Sequence, residues 1–162
     1  MNEFLMEAKN IKVALVPVDL NTAANPGTRI KIDAGDRIAY VLTMGDSTSA
    51  TDIIFAIKQH NAASGGTTKA LSIANPYYHK AAALTVFTKV VPGTASDAID
   101  LTTTFADEPG SVVIEILGEN VDVDNGYSWV SVDLTDSGAA KLGAALYIVS
   151  DLRYKPGYSQ AI

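Results

Sequence analysis

The chain reads as all-β: a single-domain antiparallel β-sandwich or jelly-roll-like barrel with short terminal arms. Three observations predict this. Apolar and polar residues alternate in short runs, which is the period of a half-buried strand. Turn residues punctuate those runs roughly every eight to twelve positions. No helical segment of crossover length separates the runs, which argues against a parallel α/β sheet. At 162 residues, 48% hydrophobic and 19% charged, the chain is long and apolar enough to bury one core without staples.

Three segments are expected: residues 1–10 as an N-terminal arm or short helix, 11–150 as the β-sandwich domain, and 151–162 as a C-terminal tail. Phe4, Leu5 and Ala8 share one helical face, but ten residues are too few to hold a helix alone. From Ile11 the pattern becomes strand-like, with Val13 and Leu15 on one face and Pro17 marking an edge or an end. A turn at Asn25-Pro-Gly leads to Arg29-Ile-Lys-Ile-Asp, where Ile30 and Ile32 point inward. The next strand places Ile38, Tyr40 and Leu42 together, and Asp52 to His60 sets Ile53, Phe55 and Ile57 against the core. Ala62 to Thr68 is a hairpin tip, Lys69 to Ala74 a short strand stopped by Asn75-Pro76, and Leu84 to Val91 a further strand. Ala98 to Phe105 follows in the same conformation, and Ser111 to Leu117, the most apolar run, is expected at a sheet centre. Ser128 to Leu134 turns Val130, Val132 and Leu134 inward and Tyr127, Trp129 and Ser131 outward, and Ala144 to Ser150 closes the domain.

The net charge of −6 disfavours direct nucleic-acid binding, because lysines and arginines are scattered singly and form no basic stripe. There are no cysteines, which removes disulfides, thiolate metal sites and thiol nucleophiles. Met1 to Lys9 has neither a basic n-region nor a long apolar h-region, and no apolar run reaches bilayer length, so neither a secretory leader nor a membrane span is expected.

Asp122-Val-Asp-Asn-Gly is the one dense oxygen cluster. It fails the register of a calcium loop: its glycine comes one residue early, and Asp133 at the closing position is shorter than the bidentate glutamate required. Asn125-Gly126 is also a strong hairpin signal, so a turn is expected there and no metal or cofactor. His60 and His79 have no nucleophile elbow to serve, and surface or interface positions are expected for both; no enzyme activity is expected. The aromatics leave two readings open. Tyr77, Tyr78, Tyr127, Trp129, Tyr154 and Tyr158 suit a sugar-stacking platform or a protein interface as well as they suit core packing. The tail after Asp151 keeps two tyrosines but too little apolar surface to fold alone.

Asn75-Pro-Tyr-Tyr-His-Lys-Ala through Phe87-Thr-Lys-Val, then Val121-Asp-Val-Asp-Asn-Gly-Tyr and Leu146-Tyr-Ile-Val-Ser-Asp-Leu-Arg-Tyr, resemble a family of small tailed-bacteriophage virion proteins. In the closing phrase Leu152 stands where that family usually has proline. The resemblance implies a head decoration (cement) protein, a β-rich domain on the virion capsid surface, made in the host cytoplasm, that bridges major capsid protein subunits. It also implies self-association, a homotrimer being common among such proteins, with no direct contact to nucleic acid or membrane. Phe4, Leu5, Tyr77, Tyr78, Trp129, Arg153, Tyr154 and Tyr158 are the expected interface residues. The rival expectation is a carbohydrate- or receptor-binding β-sandwich module of a virion fibre or spike, which needs its aromatics on one exposed face.

Overall fold

The computed structural model describes residues 9–21, 23–47, 49–105 and 107–150. Its strands are β1 (Asn10–Asp19), β2 (Ile30–Lys31), β3 (Arg37–Ser47), β4 (Ile54–His60), β5 (Thr68–Ala70), β6 (Tyr77–Ala81), β7 (Thr88–Val90), β8 (Ala98–Asp100), β9 (Gly110–Leu117), β10 (Trp129–Leu134) and β11 (Lys141–Ser150). One short helix, α1 (Thr102–Phe105), lies between β8 and β9. The strands form two antiparallel sheets. The larger runs β1-β11-β3-β9-β6-β7, and the smaller runs β2-β10-β4-β5 with β8 also paired to β4.

The chain changes sheet at every step from β1 to β4, and again from β9 through β10 to β11. With β6 and β7 set aside, the two orders are β1-β11-β3-β9 and β2-β10-β4-β5, the wiring of a jelly roll. The result is a two-sheet sandwich, not a closed barrel, because β1, β7 and β2 remain at sheet edges. The β6–β7 hairpin is an addition that lengthens the larger sheet beyond β9.

Period-2 alternation produces the core. Ile38, Tyr40, Leu42 and Met44 of β3 meet Val112, Ile114 and Ile116 of β9 on the inner face, as Phe55 and Ile57 of β4 meet Val132 and Leu134 of β10. Tyr40 joins the layers at the centre, edge-on to Phe55 at 6.1 Å and tilted against Tyr147 at 5.6 Å. The two tyrosines differ in one respect. The Tyr147 hydroxyl accepts the Val132 N–H at 3.1 Å, tying β11 to the opposite sheet, whereas the buried Tyr40 hydroxyl has no partner among the described residues. Tyr147→Phe should therefore cost about 1–3 kcal/mol by orphaning a buried N–H. Tyr40→Phe should be neutral or stabilising, since it removes an unmet polar group. Paired urea-unfolding curves check this; equal losses from both variants would refute it.

Four sequence expectations change. In β1 the alternation breaks at register shifts between Val13 and Leu15 and between Leu15 and Val18, so Ala14 and Leu15 are both buried and Val13 is exposed. Only Thr88–Val90 of the predicted Leu84–Val91 strand is paired. The predicted strand from Ala98 ends at Asp100, whose carboxylate accepts the Thr102 N–H at 2.9 Å and starts α1. Asn125-Gly126 closes no hairpin: β9 and β10 lie in different sheets and are joined by short 3-10 turns at Gly118–Asn120 and Val123–Asn125. Gly126, at φ 82°, supplies the left-handed residue that ends the second turn.

Candidate functional site

Of the expected interface residues, the three among the described residues, Tyr77, Tyr78 and Trp129, are not brought together. Tyr77 sits on β6 opposite Ile114, on the inner face, and packs against the core. Tyr78 points the other way, opposite Val113 on the outer face of the larger sheet. Trp129 belongs to the smaller sheet, between Lys31 and His60, and is half-buried. Tyr127 packs against the core, with the Lys69 ammonium 5.5 Å from its ring centre. Phe4, Leu5, Arg153, Tyr154 and Tyr158 lie outside the described residues, as do most of the 1–10 arm and all of the 151–162 tail.

Polar side chains gather on the outer face of the smaller sheet, where β5, β4 and β10 run side by side. His60 Nδ1 lies 2.9 Å from Thr68 Oγ1, and Nε2 lies 2.9 Å from Ser131 Oγ. Ser131 donates to Asp133 at 3.0 Å, and Asp133 also receives Lys58 Nζ at 2.8 Å and the Gly27 N–H at 3.1 Å. Donor counting then assigns the tautomer. Ser131 spends its one proton on the carboxylate, so Nε2 must donate to Ser131 and Nδ1 must accept from Thr68. This is a serine, histidine and aspartate wired in the wrong order for hydrolysis. A nucleophilic serine gives its proton to the imidazole, whereas here the imidazole donates to the serine. The cluster clamps three strands. Both His60 and Ser131 are buried, so of the surface or interface positions expected for His60 the exposed-surface one is corrected.

Burial, then the nearby Arg29 charge, lowers the His60 pKa; Asp133 pulls it up less strongly, and Lys58 adds the smallest push down. His79 faces inward on β6, edge-on to Phe105 at 6.0 Å, with a buried Nδ1 that has no partner among the described residues; burial lowers its pKa too. Both imidazoles are thus held neutral in the fold but free to charge when it opens. A depressed histidine contributes stability that is present above the unfolded value of 6.5 and lost as pH falls through the folded pKa. The melting temperature should fall on acidification below 6.5, and a His60→Gln, His79→Gln double variant should lose most of that slope. A flat wild-type profile across the window would contradict this.

The Asp122-to-Gly126 stretch is satisfied internally. Asp122 binds Lys69 Nζ through Oδ2 and receives the Asn125 amide at 2.7 Å through Oδ1. Its backbone N–H donates to the buried Gln59 at 2.9 Å, which pins the crossover to β4. The Lys69 and Asn125 hydrogen bonds hold the Asp122 carboxyl below the usual range. Among the described residues no three His, Asp or Glu side chains converge in a metal-binding group.

Sequence patterning missed the apolar surface. The outer face of the larger sheet carries a row that crosses every strand: Val13, Leu146, Val41, Val113, Tyr78 and Lys89, each opposite the next. Ile11, Ile148 and Ala39 lie beside it. Exposure peaks at its β1–β11 end, where Val13, Val16, Leu142 and Leu146 are uncovered, Leu142 by 67%. A second exposed apolar group lies at the β6–β7 hairpin: Leu84, Val86 and Phe87 in its turn, Val86 exposed by 71%, and Val91 just past the other end of β7. The available signal was the continuous apolar run in Ala144 to Val149, which belongs to a strand apolar on both faces rather than one.

No protein-family model and no curated protein matches the chain. Among solved structures it is similar to the N-terminal CBM22-1 and GH10 modules of Clostridium thermocellum endo-1,4-β-D-xylanase 10B complexed with xylohexaose. That likeness has a TM-score of 0.37 and 8% identity, and covers 96% of this chain but 27% of the other. At that level it carries no argument about function.

Proposed function

We propose that the chain is a non-enzymatic virion structural protein that decorates and stabilises a phage capsid by bridging major capsid protein subunits. One observation supports this best: uncovered apolar patches stand at opposite ends of one rigid sheet. A bridging protein needs two separated contact surfaces on one body, and clustered exposed apolar residues mark protein interfaces. Repetition over a symmetric shell would turn modest single contacts into large total stabilisation. The sequence phrases around Tyr77, Val121 and Leu146 supply the capsid part of the reading.

The rival carbohydrate-binding reading asks for aromatics on one exposed face, whereas Tyr77 packs inward and Tyr78 and Trp129 lie on the outer faces of different sheets. The test is direct. Purified protein is mixed with undecorated expanded heads, and cryo-EM should show added density at regular surface positions. Bare heads at saturating protein would refute the proposal, and a glycan-array signal abolished by Trp129→Ala would replace it with the rival.

A further inference from the structure

We infer that the β6–β7 prong of one copy docks on the β1–β11 end of the larger sheet of a second copy, giving head-to-tail self-association. The inference shares the two-patch observation with the capsid reading but not its partner, and it stands or falls on purified protein alone.

The distribution of exposed apolar side chains comes first. Among the described residues, every exposed large hydrophobic except Val123 belongs to one of the two patches. They lie at the β7 and β1 ends of one sheet, five inter-strand steps apart, or about 24 Å at the usual spacing. A copy cannot satisfy one patch with its own other patch across that distance. A second copy can, and the repeat of that contact is heterologous rather than two-fold.

Chemistry pairs the two ends. The prong is a hairpin outside the eight jelly-roll strands, and its turn carries Leu84-Thr-Val-Phe where tight hairpins favour Asn, Asp and Gly. Between Tyr77 and Ser96 the only charged residues are Lys80 and Lys89. Removing those two positive charges from the net −6 leaves −8 on the rest of the chain. The prong is therefore a basic, apolar element on a chain of opposite net charge, which favours the approach of a second copy, while apolar side chains select its β1–β11 end.

Edges decide the mode. At β1 the two register shifts and Pro17 interrupt the outer row of backbone donors and acceptors, which blocks a continuous added strand. Association there uses side chains on the sheet face: Val13, Val16, Leu142 and Leu146.

Complementary variants test the geometry. Sedimentation velocity of wild-type protein should show mass rising with concentration above 17.0 kDa. Val86→Asp with Phe87→Asp spoils only the prong, and Leu142→Asp with Leu146→Asp spoils only the face; each should be monomeric, with unchanged circular dichroism. Mixed in equal amounts, they should form a dimer that grows no further, because one intact prong meets one intact face. If the face variant misfolds, Val16→Asp alone replaces it and should raise the dissociation constant at least tenfold. Wild type that stays monomeric to the solubility limit overturns the inference. So does a mixture of the two variants that stays monomeric. Head binding, measured separately, leaves either result unaffected.

Discussion

Lys141→Met should destabilise the protein by roughly 2–4 kcal/mol, although it replaces a charged side chain with an apolar one at a buried site. Lys141 opens β11 with its side chain 1% exposed. Its Nζ donates to the Phe105 carbonyl at 3.1 Å and the Glu108 carbonyl at 2.8 Å, which closes the turn after α1 onto the sheet. Burial lowers its pKa, while the Asp46, Asp107 and Glu108 carboxylates pull it back up. Methionine keeps the stem and its packing but removes the donors. The buried Phe105 carbonyl would then lose its ammonium donor at about 1–3 kcal/mol and the part-buried Glu108 carbonyl at less, partly offset because an ammonium need no longer be desolvated. The chemical midpoint should drop at constant denaturant slope, with faster amide exchange confined first to the turn after α1. Lys141→Glu should be worse than methionine, because a carboxylate would face two carbonyls. A methionine variant within about 0.5 kcal/mol of wild type would show that the turn is held by other contacts.

What the sequence disclosed and what it hid have separate physical causes. Ile38, Tyr40 and Leu42, or Phe55 and Ile57, were legible because regular strands turn every second residue the same way. β1 was not, because two bulges each reset that alternation and no local residue marks them except Pro17. β6 went unread because Tyr77-Tyr-His-Lys does not alternate: Tyr77 and His79 go inward and Tyr78 outward, all half-buried at the end of the sheet. Lys141 looked like one more isolated surface lysine, and only the fold brings the carbonyls of a turn beside it.

The same limit applies to the polar clamp. His60, Ser131 and Asp133 carry the residue types of a hydrolytic triad, but sequence spacing did not group them; its elbow argument concerned His60 and His79 alone. Only the fold brings the three together, and it sets the direction of each proton along Thr68, His60, Ser131 and Asp133. Conversely, those sequence-picked aromatics that are described, Tyr77, Tyr78 and Trp129 among them, lie on different faces. The surface that best supports a functional reading is aliphatic, built from valines and leucines that alternation arguments assign to a core.

Two phenylalanines separate folding from association. Phe55→Ala should cost about 3–5 kcal/mol, near the largest effect of any single truncation. Phe55 is fully buried on β4, flanked by Leu134 and Ile99 in its own sheet and edge-on to Tyr40 in the other. Truncation leaves a cavity between sheets that cannot collapse, since neighbouring strands fix the spacing. Phe87→Ala removes the same atoms from a side chain exposed by 46% on the prong. Its effect on monomer unfolding should stay within about 0.5 kcal/mol, while self-association weakens at least tenfold. Thermal unfolding at a concentration where wild type is monomeric, alongside sedimentation at high concentration, measures both quantities for both variants. The expected outcome is a crossing: one variant unfolds early, the other folds normally and stays apart. If Phe87→Ala instead lowers monomer stability as Phe55→Ala does, the prong is an outlying part of the core and cannot be the docking element.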